Sequence, residues 1–278
     1  MTAGDRPAAR PRRPRARIRP EALAAERGGA REGLDWLGRR PESQATLQYR
    51  ILRLVVRFVL FGVFRFRIDT SGQEHLPSGG YLLVAAPHRG WMDPCVVLHA
   101  LPGVPRAWFL GSGPSTFTSH WREWLVRWVG GLLPVWRGGV GIDQHVRAAR
   151  AVLGNGGVFV QMPEGTVNGP AGRLGPFRPG AALIAIRTGA PMVPLAIAGT
   201  EQLYLGRRMA SRVLPATSVA ELLGPAWDGG LPEPGSREEL ALGGGSATRS
   251  PSGWHRWLQC CTQPRSTQRT IRADSEAA

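Results

Sequence analysis

His88 and Asp93 stand five residues apart in Ala86-Pro87-His88-Arg89-Gly90-Trp91-Met92-Asp93-Pro94, directly after the apolar run Tyr81-Leu82-Leu83-Val84-Ala85. An imidazole and a carboxylate delivered together at the end of a buried strand are the parts of a general base and its orienting partner. An unperturbed histidine titrates at about 6.5, so it can take a hydroxyl proton as the oxygen attacks and return it to a leaving group. A carboxylate accepting from the second ring nitrogen fixes the tautomer and stabilises the imidazolium. On a continuous helix, residues five apart point about 140° away from each other, so the segment must turn between them. Gly90 permits such a turn. Asp93-Pro94 also reads as a helix N-cap followed by proline at the first helical position, which would leave Asp93 a structural cap. The matching structural reading of His88 is a satisfied histidine at a strand end.

Three further blocks follow in order: Leu133-Pro134-Val135-Trp136-Arg137, then Met162-Pro163-Glu164-Gly165-Thr166, then Pro191-Met192-Val193-Pro194-Leu195. The second of these comes just after the apolar run Val158 to Gln161, and loops after strands commonly hold binding groups. Gly165 would let backbone approach a ligand closely, and N–H groups there would hold a phosphate or an oxyanion. The plainer reading of this block is a tight turn whose Glu164 faces solvent.

The ordered set resembles the glycerolipid acyltransferase family, of the 1-acylglycerol-3-phosphate acyltransferase type, over roughly residues 47 to 225. The resemblance implies catalytic roles for His88 and Asp93, and substrate binding by Arg137, Glu164, Gly165 and Thr166. An arginine such as Arg137 can grip a phosphate through two parallel hydrogen bonds. The implied reaction moves a fatty acyl group from acyl-CoA or acyl-acyl carrier protein to the free hydroxyl of a lysophospholipid. 1-Acylglycerol-3-phosphate, giving phosphatidic acid, is the foremost acceptor, with a glycolipid or amino-lipid as an alternative. The thioester is already activated, so no metal or bound cofactor is expected. No Cys or Ser stands beside His88 as an acyl-enzyme nucleophile, so attack would be direct. A different class of reading keeps the motifs as structure in a non-catalytic protein that binds anionic lipid or nucleic acid.

Two departures from the family pattern stand out. Val167 occupies a position where the family often has another Arg, and Arg173 or Arg178 would have to supply that phosphate contact. Pro87 stands where Asn commonly precedes the His, and Pro194 is expected to shape the wall of the site.

The elements that must position these residues alternate strand and helix patterns. Strands are predicted over Leu82–Ala85, Trp108–Leu110, Val158–Gln161, Val193–Ala198 and Val219–Leu223. Helices are predicted over Pro94–Leu101, Ser119–Val129, Asp143–Leu153 and Gly180–Arg187. The fold class is α/β, a single mixed-sheet domain flanked by helices, with an N-terminal amphipathic membrane-interface helix over Leu47–Phe66. In that helix Arg50, Arg53 and Arg57 fall on one stripe and Leu52, Val55, Val56, Val59, Leu60 and Val63 fill the other faces. The stretch Ile51–Phe64 is too short and too charged to span a bilayer. Trp121, Trp124, Leu125, Trp128 and Val129 recur at helical spacing, as a core stripe or as rings at the headgroup level.

The domain is bounded at residues 41–235, between an Arg/Pro-rich arm over 1–40, read as disordered, and an irregular tail over 236–278, read as disordered or frameshifted. The arm carries no apolar core of the kind a secretory signal requires. Cys95, Cys260 and Cys261 suit neither a disulfide framework nor a zinc site. All 35 basic residues are Arg, and the net charge of +15 draws the protein to phosphate-bearing polymers and anionic bilayers alike. The amphipathic helix and the motif set favour an anionic membrane surface over nucleic acid. The cysteine usage fits a reducing, cytosolic-facing location, so the expected place is the cytoplasmic face of the cell membrane, as a peripheral or monotopic protein.

Overall fold

In the computed structural model, which describes residues 46–112, 124, 131–135, 142–167, 177–218 and 220–221, the apolar run before His88 is a strand buried on both faces. This strand, β2 (Tyr81–Ala86), lies at the middle of a seven-stranded sheet. Its partners are β1 (Arg67–Ser71), β3 (Ala107–Ser112), β4 (Leu132–Val135), β5 (Val158–Gln161), β6 (Met192–Ala198) and β7 (Arg208–Val213). The order is β1-β7-β6-β2-β5-β3-β4, and every neighbouring pair is parallel except β6 with β7.

Alternation along β2 sends side chains to two different cores. Leu82 and Val84 join Phe159, Val146, Val152 and Ile184, whereas Tyr81, Leu83 and Ala85 join Val96, Val97 and Leu60. The first core is roofed by α3 (Ile142–Gly154) and α4 (Gly180–Thr188), the second by α1 (Leu47–Arg57) and α2 (Asp93–Ala100). A parallel sheet covered on both faces requires continuous apolar strands, and β2, β5 and β6 supply them.

Outer strands follow another rule. Along β7 the residues Met209, Ser211 and Val213 are buried while Arg208, Ala210 and Arg212 are exposed, and β1 alternates likewise. The strand expected over Val219–Leu223 is not formed at the described positions Ala220 and Glu221, which are helical. The Ser218 hydroxyl accepts from the Glu221 N–H at 3.2 Å, and the Glu221 carboxylate accepts from the Ser218 N–H at 2.9 Å. This reciprocal capping box starts a helix, and it outweighs the β-propensity of the sequence around it.

The N-terminal helix also departs from expectation. After α1 the chain widens into a π-helical turn, Phe58–Val63, and leaves the helical path at Arg65, whose φ is +51°. Arg53 does not share an outward stripe with Arg50 and Arg57, which are exposed. Its guanidinium turns inward and donates to the carbonyls of Leu101 at 2.7 Å and Pro102 at 3.0 Å, while Gln73 donates to that of Ala100 at 2.6 Å. Those carbonyls end α2 without partners along the helix, and a buried helix end requires such donors. The Tyr49 hydroxyl accepts the Ala107 N–H at 3.1 Å, tying α1 to the start of β3.

The outer face of α1 and of the turn that follows it is apolar: Leu47, Ile51, Leu54, Val55 and Phe58 are exposed, Leu54 at 68% and Phe58 at 66%. Among the described residues no helix is long and apolar enough to cross a membrane. Of the tryptophan segment Ser119–Val129 only Trp124 is described, and it is exposed; the other residues lie outside the described set, as do the arm and the tail.

Candidate active site

His88 and Asp93 lie beyond the carboxyl end of β2, where open parallel sheets place their ligands. Asp93 is the first residue of α2 and has no exposed surface. The N-cap is Met92, so Asp93 does not cap the helix it begins. Its side chain reaches back into the preceding loop. Oδ2 accepts the Arg89 N–H at 2.6 Å, the Gly90 N–H at 2.9 Å and a bond from His88 Nδ1 at 2.7 Å. Convergence on that oxygen makes the turn between His88 and Asp93; Gly90 does not adopt a left-handed conformation.

A carboxylate oxygen accepts and does not donate, so Nδ1 carries the proton in this pair and Nε2 is left with a lone pair. The imidazole is 17% exposed. A histidine fixed in one tautomer, with its basic nitrogen free and solvent within reach, can remove a proton from a hydroxyl. The Cys95 thiol, two residues on, is a poor rival nucleophile. Burial, and then the neighbouring Asp93, push its pKa up, which keeps it protonated at neutral pH.

Glu164 sits three residues past the end of β5, next to β2 in the sheet. It does not face solvent: it is 2% exposed, and its Oε1 accepts the His88 backbone N–H at 2.9 Å. Two buried carboxylates therefore hold the histidine, Asp93 by its ring and Glu164 by its main chain. That contact joins the His88–Asp93 block to the Glu164 block, which are 76 residues apart in sequence.

The Glu164 block closes as a tight turn, with the Gly165 N–H donating to the Met162 carbonyl at 3.0 Å. Gly165 has φ +65°, a conformation that glycine adopts without steric cost. A Cβ there would meet Cδ of Arg178 at 3.0 Å, Nε at 3.1 Å and Cζ at 3.5 Å. Thr166 is half-buried on the same turn and Val167 is exposed. Pro194 is buried within β6, level with Val84 of β2. Arg137 and Arg173 lie outside the described residues. The structure thus brings together His88, Asp93, Glu164, Gly165 and Arg178.

The Arg89 and Gly90 amides on Asp93, and the Glu164 contact with the His88 amide, have no signature in residue type alone. The Met-Pro-Glu-Gly-Thr block marked Glu164 as a site residue, but only the sheet order put it beside His88.

A histidine oriented by a buried carboxylate, beyond the carboxyl end of a parallel strand, is an arrangement that can serve group transfer. A family model described as Acyltransferase matches residues 67–198, from β1 to the end of β6. The chain is 30% identical over 138 residues to 1-acyl-sn-glycerol-3-phosphate acyltransferase BAT2, chloroplastic, of Brassica napus, a match covering 49% of this chain and 38% of that one. It therefore spans well under half the length of that curated relative. The crystal structure of the 1-acyl-sn-glycerophosphate (LPA) acyltransferase PlsC from Thermotoga maritima superposes with a TM-score of 0.52 at 19% identity, covering 84% of this chain and 93% of that one; it shares the fold. The match over residues 67–198 and the similarity to the Brassica napus relative support the glycerolipid acyltransferase family.

Proposed function

We propose that the protein transfers a fatty acyl group from acyl-CoA or acyl-acyl carrier protein to the free hydroxyl of 1-acylglycerol-3-phosphate, giving phosphatidic acid. The observation that carries this reading is the His88–Asp93 pair, 2.7 Å apart, with Asp93 fully buried and bonded to Nδ1, so that Nε2 is the ring nitrogen open to a substrate. Nε2 takes the hydroxyl proton as the acceptor oxygen bonds to the thioester carbonyl carbon. The resulting tetrahedral oxyanion collapses, the C–S bond breaks, and the imidazolium returns the proton to the thiolate sulfur. Asp93 stabilises the imidazolium between these two transfers. The thioester supplies the activation, so the proposed route uses no metal or bound cofactor.

The lipid acceptor brings the protein to a membrane surface, in this reading as a peripheral protein on the cytoplasmic face. The uncovered apolar face of α1 supports it, flanked by the exposed Arg50 and Arg57. So does the exposed Tyr204–Leu205 pair, whose loop is fastened to the end of the π-helical turn by the Gly206 N–H donating to the Phe64 carbonyl at 2.9 Å.

The test is acyl transfer from labelled palmitoyl-CoA, and separately from palmitoyl-acyl carrier protein, to a panel of lysolipids in anionic vesicles. Transfer to 1-acylglycerol-3-phosphate that disappears in His88→Ala is the expected result. Transfer confined to a glycolipid or amino-lipid would replace the acceptor. A folded, vesicle-bound protein that transfers from neither donor would overturn the catalytic reading.

A further inference from the structure

We propose that the open face of β1 and β7 docks an acidic, water-soluble carrier protein that presents the acyl chain as a thioester, so that the carrier-bound acyl group is the preferred donor. The inference rests on the acyl-transfer reading above and names the donor within it. Arg67 and Arg208 are partners in the parallel register of these strands, and Arg212 follows on β7 opposite Ser71. All three are exposed and share one face, since Ile68, Met209 and Val213, which alternate with them, turn to the core beneath α1. Adjacent strands lie about 4.8 Å apart, so the stems of Arg67 and Arg208 start side by side. No carboxylate among the described residues forms an ion pair with either. Asp69, level with Ala210, is the single acidic residue that the two strands put on this face.

Two unpaired guanidiniums side by side repel each other, a cost that an anionic partner removes. Edge strands carry charge to block pairing with other chains, but β7 lies between β1 and β6 and has no free edge. From Arg208 to Arg212 the row runs about 13 Å along the strand. Nucleotide-sized ligands take concave pockets, whereas a charged row on an open sheet face suits the surface of a protein. The outer face of α1 lies on the other side of the sheet, so a protein resting on a bilayer through α1 turns these arginines toward water. That orientation selects a soluble partner over a lipid headgroup.

The face also begins beside the base. β6 alone separates β7 from β2, so Arg208 starts about 10 Å from the strand that leads to His88. Ala198, the last residue of β6, is level with Ala210. Gly199 then approaches so closely that a Cβ there would lie 2.6 Å from the Arg208 carbonyl oxygen. The carbonyl oxygen of Thr200 stands 3.4 Å from where a Cβ on Gly90 would be, in the loop that carries His88. Arg207 pins this turn, donating to the Gly199 carbonyl and to the Glu201 carboxylate, each at 3.0 Å. A carrier seated on Arg67 and Arg208 reaches the imidazole by passing its thioester arm over the Gly199–Thr200 turn.

The test compares the full-length wild type with Arg67→Gln/Arg208→Gln and with Arg147→Glu, which lowers the net charge equally from an exposed position on α3. Gln keeps much of each stem, and thermal melting controls for folding. Binding of palmitoyl-acyl carrier protein is measured without acceptor at low and high salt. Turnover is then measured with palmitoyl-acyl carrier protein and with palmitoyl-CoA on detergent-dispersed 1-acylglycerol-3-phosphate.

The expected result is roughly tenfold weaker, salt-sensitive carrier binding in the double variant, with a matching rise in KM for the carrier-bound donor and kcat held. Palmitoyl-CoA turnover is expected to be unchanged, and Arg147→Glu to behave as the wild type. An equal rise in KM for both donors, an equal loss in Arg147→Glu, or no change in carrier binding would overturn the assignment. So would a double variant that keeps the carrier and loses anionic vesicles, which would give the face to the bilayer. A wild type that turns over palmitoyl-CoA without binding the carrier sinks the docking surface and leaves acyl transfer standing. One that binds the carrier through these arginines and transfers from neither donor does the reverse.

Discussion

The loop at residues 87–93 and the outer face of α1 treat water in opposite ways. In the loop three donors converge on one buried oxygen of Asp93, and the His88 amide finds a second buried carboxylate in Glu164. On α1 the polar side chains Tyr49 and Arg53 turn inward to bond the domain, while Leu54 and Phe58 stand in solvent. Holding the ring at Nδ1 and the main chain at the His88 amide fixes one imidazole orientation, as proton transfer demands. Leaving apolar surface uncovered keeps a face ready for a hydrophobic medium, at about 1.5–3 kcal/mol for each large side chain fully buried there. The first region holds a single geometry, and the second leaves apolar side chains unburied.

The sharpest way to break this contrast is at the base. His88→Ala is expected to lower acyl transfer by roughly 10²- to 10⁴-fold. Asp93→Asn is expected to come close, because an amide no longer enforces the tautomer. Wild-type turnover in either folded variant would remove the loop from the mechanism.

Next in size is Glu164. Glu164→Ala leaves the His88 N–H unpaired, a cost of about 1–3 kcal/mol in urea unfolding. It should also lower kcat with little change in KM. Glu164→Gln, which keeps an acceptor oxygen, should restore most of both. A raised KM with an intact kcat would instead make Glu164 a substrate ligand.

On the other side of the comparison, Leu54→Asp combined with Phe58→Asp should cut sedimentation with anionic vesicles by at least about tenfold. Melting temperature and turnover of a detergent-dispersed short-chain acceptor should hold, because both positions are exposed. Unchanged vesicle binding would remove this face from the interface.

The smallest effect concerns acid stability. Burial lowers the pKa of His145, and burial followed by the charges of Arg57 and Arg53 lowers that of His99, both from 6.5. Such groups stay neutral when folded and protonate first in the unfolded chain. Their stability contribution is therefore complete above pH 6.5 and is lost as pH falls through that value toward the folded pKa. The drop in melting temperature between neutral and acid pH should be shallower in His145→Gln; parallel curves would contradict it.

Legibility in the sequence followed burial. Strands covered on both faces announce themselves as apolar runs, which is why β2, β3, β5 and β6 were expected within a few residues of where they lie. The edge strand β1 and its neighbour β7 are exposed on one face and Arg-bearing, and β4 lies inside a motif read for its chemistry; none of the three was expected. At the site, the His88–Asp93 pair was legible because its spacing and strand context carry a mechanism. Glu164 was legible as a site residue, but its bond to the His88 amide was not, since nothing in one chain segment reveals which strand end lies beside it. The inward turn of Arg53 was hidden for a similar reason: an arginine on an amphipathic helix looks the same whether it meets water or the carbonyls of another helix.

The fastening of α1 also bears on modularity. Its hydroxyl contact with β3, its guanidinium on the end of α2, and the burial of Tyr49 and Leu60 in the core make the helix an integral wall of the domain. A protein begun at Arg67 would expose that core and orphan the Ala107 amide, so the helix cannot be trimmed away or exchanged like a fusion tag. A change that makes this helix more polar has to be made on the outer side of α1, residue by residue, with the inner face left intact.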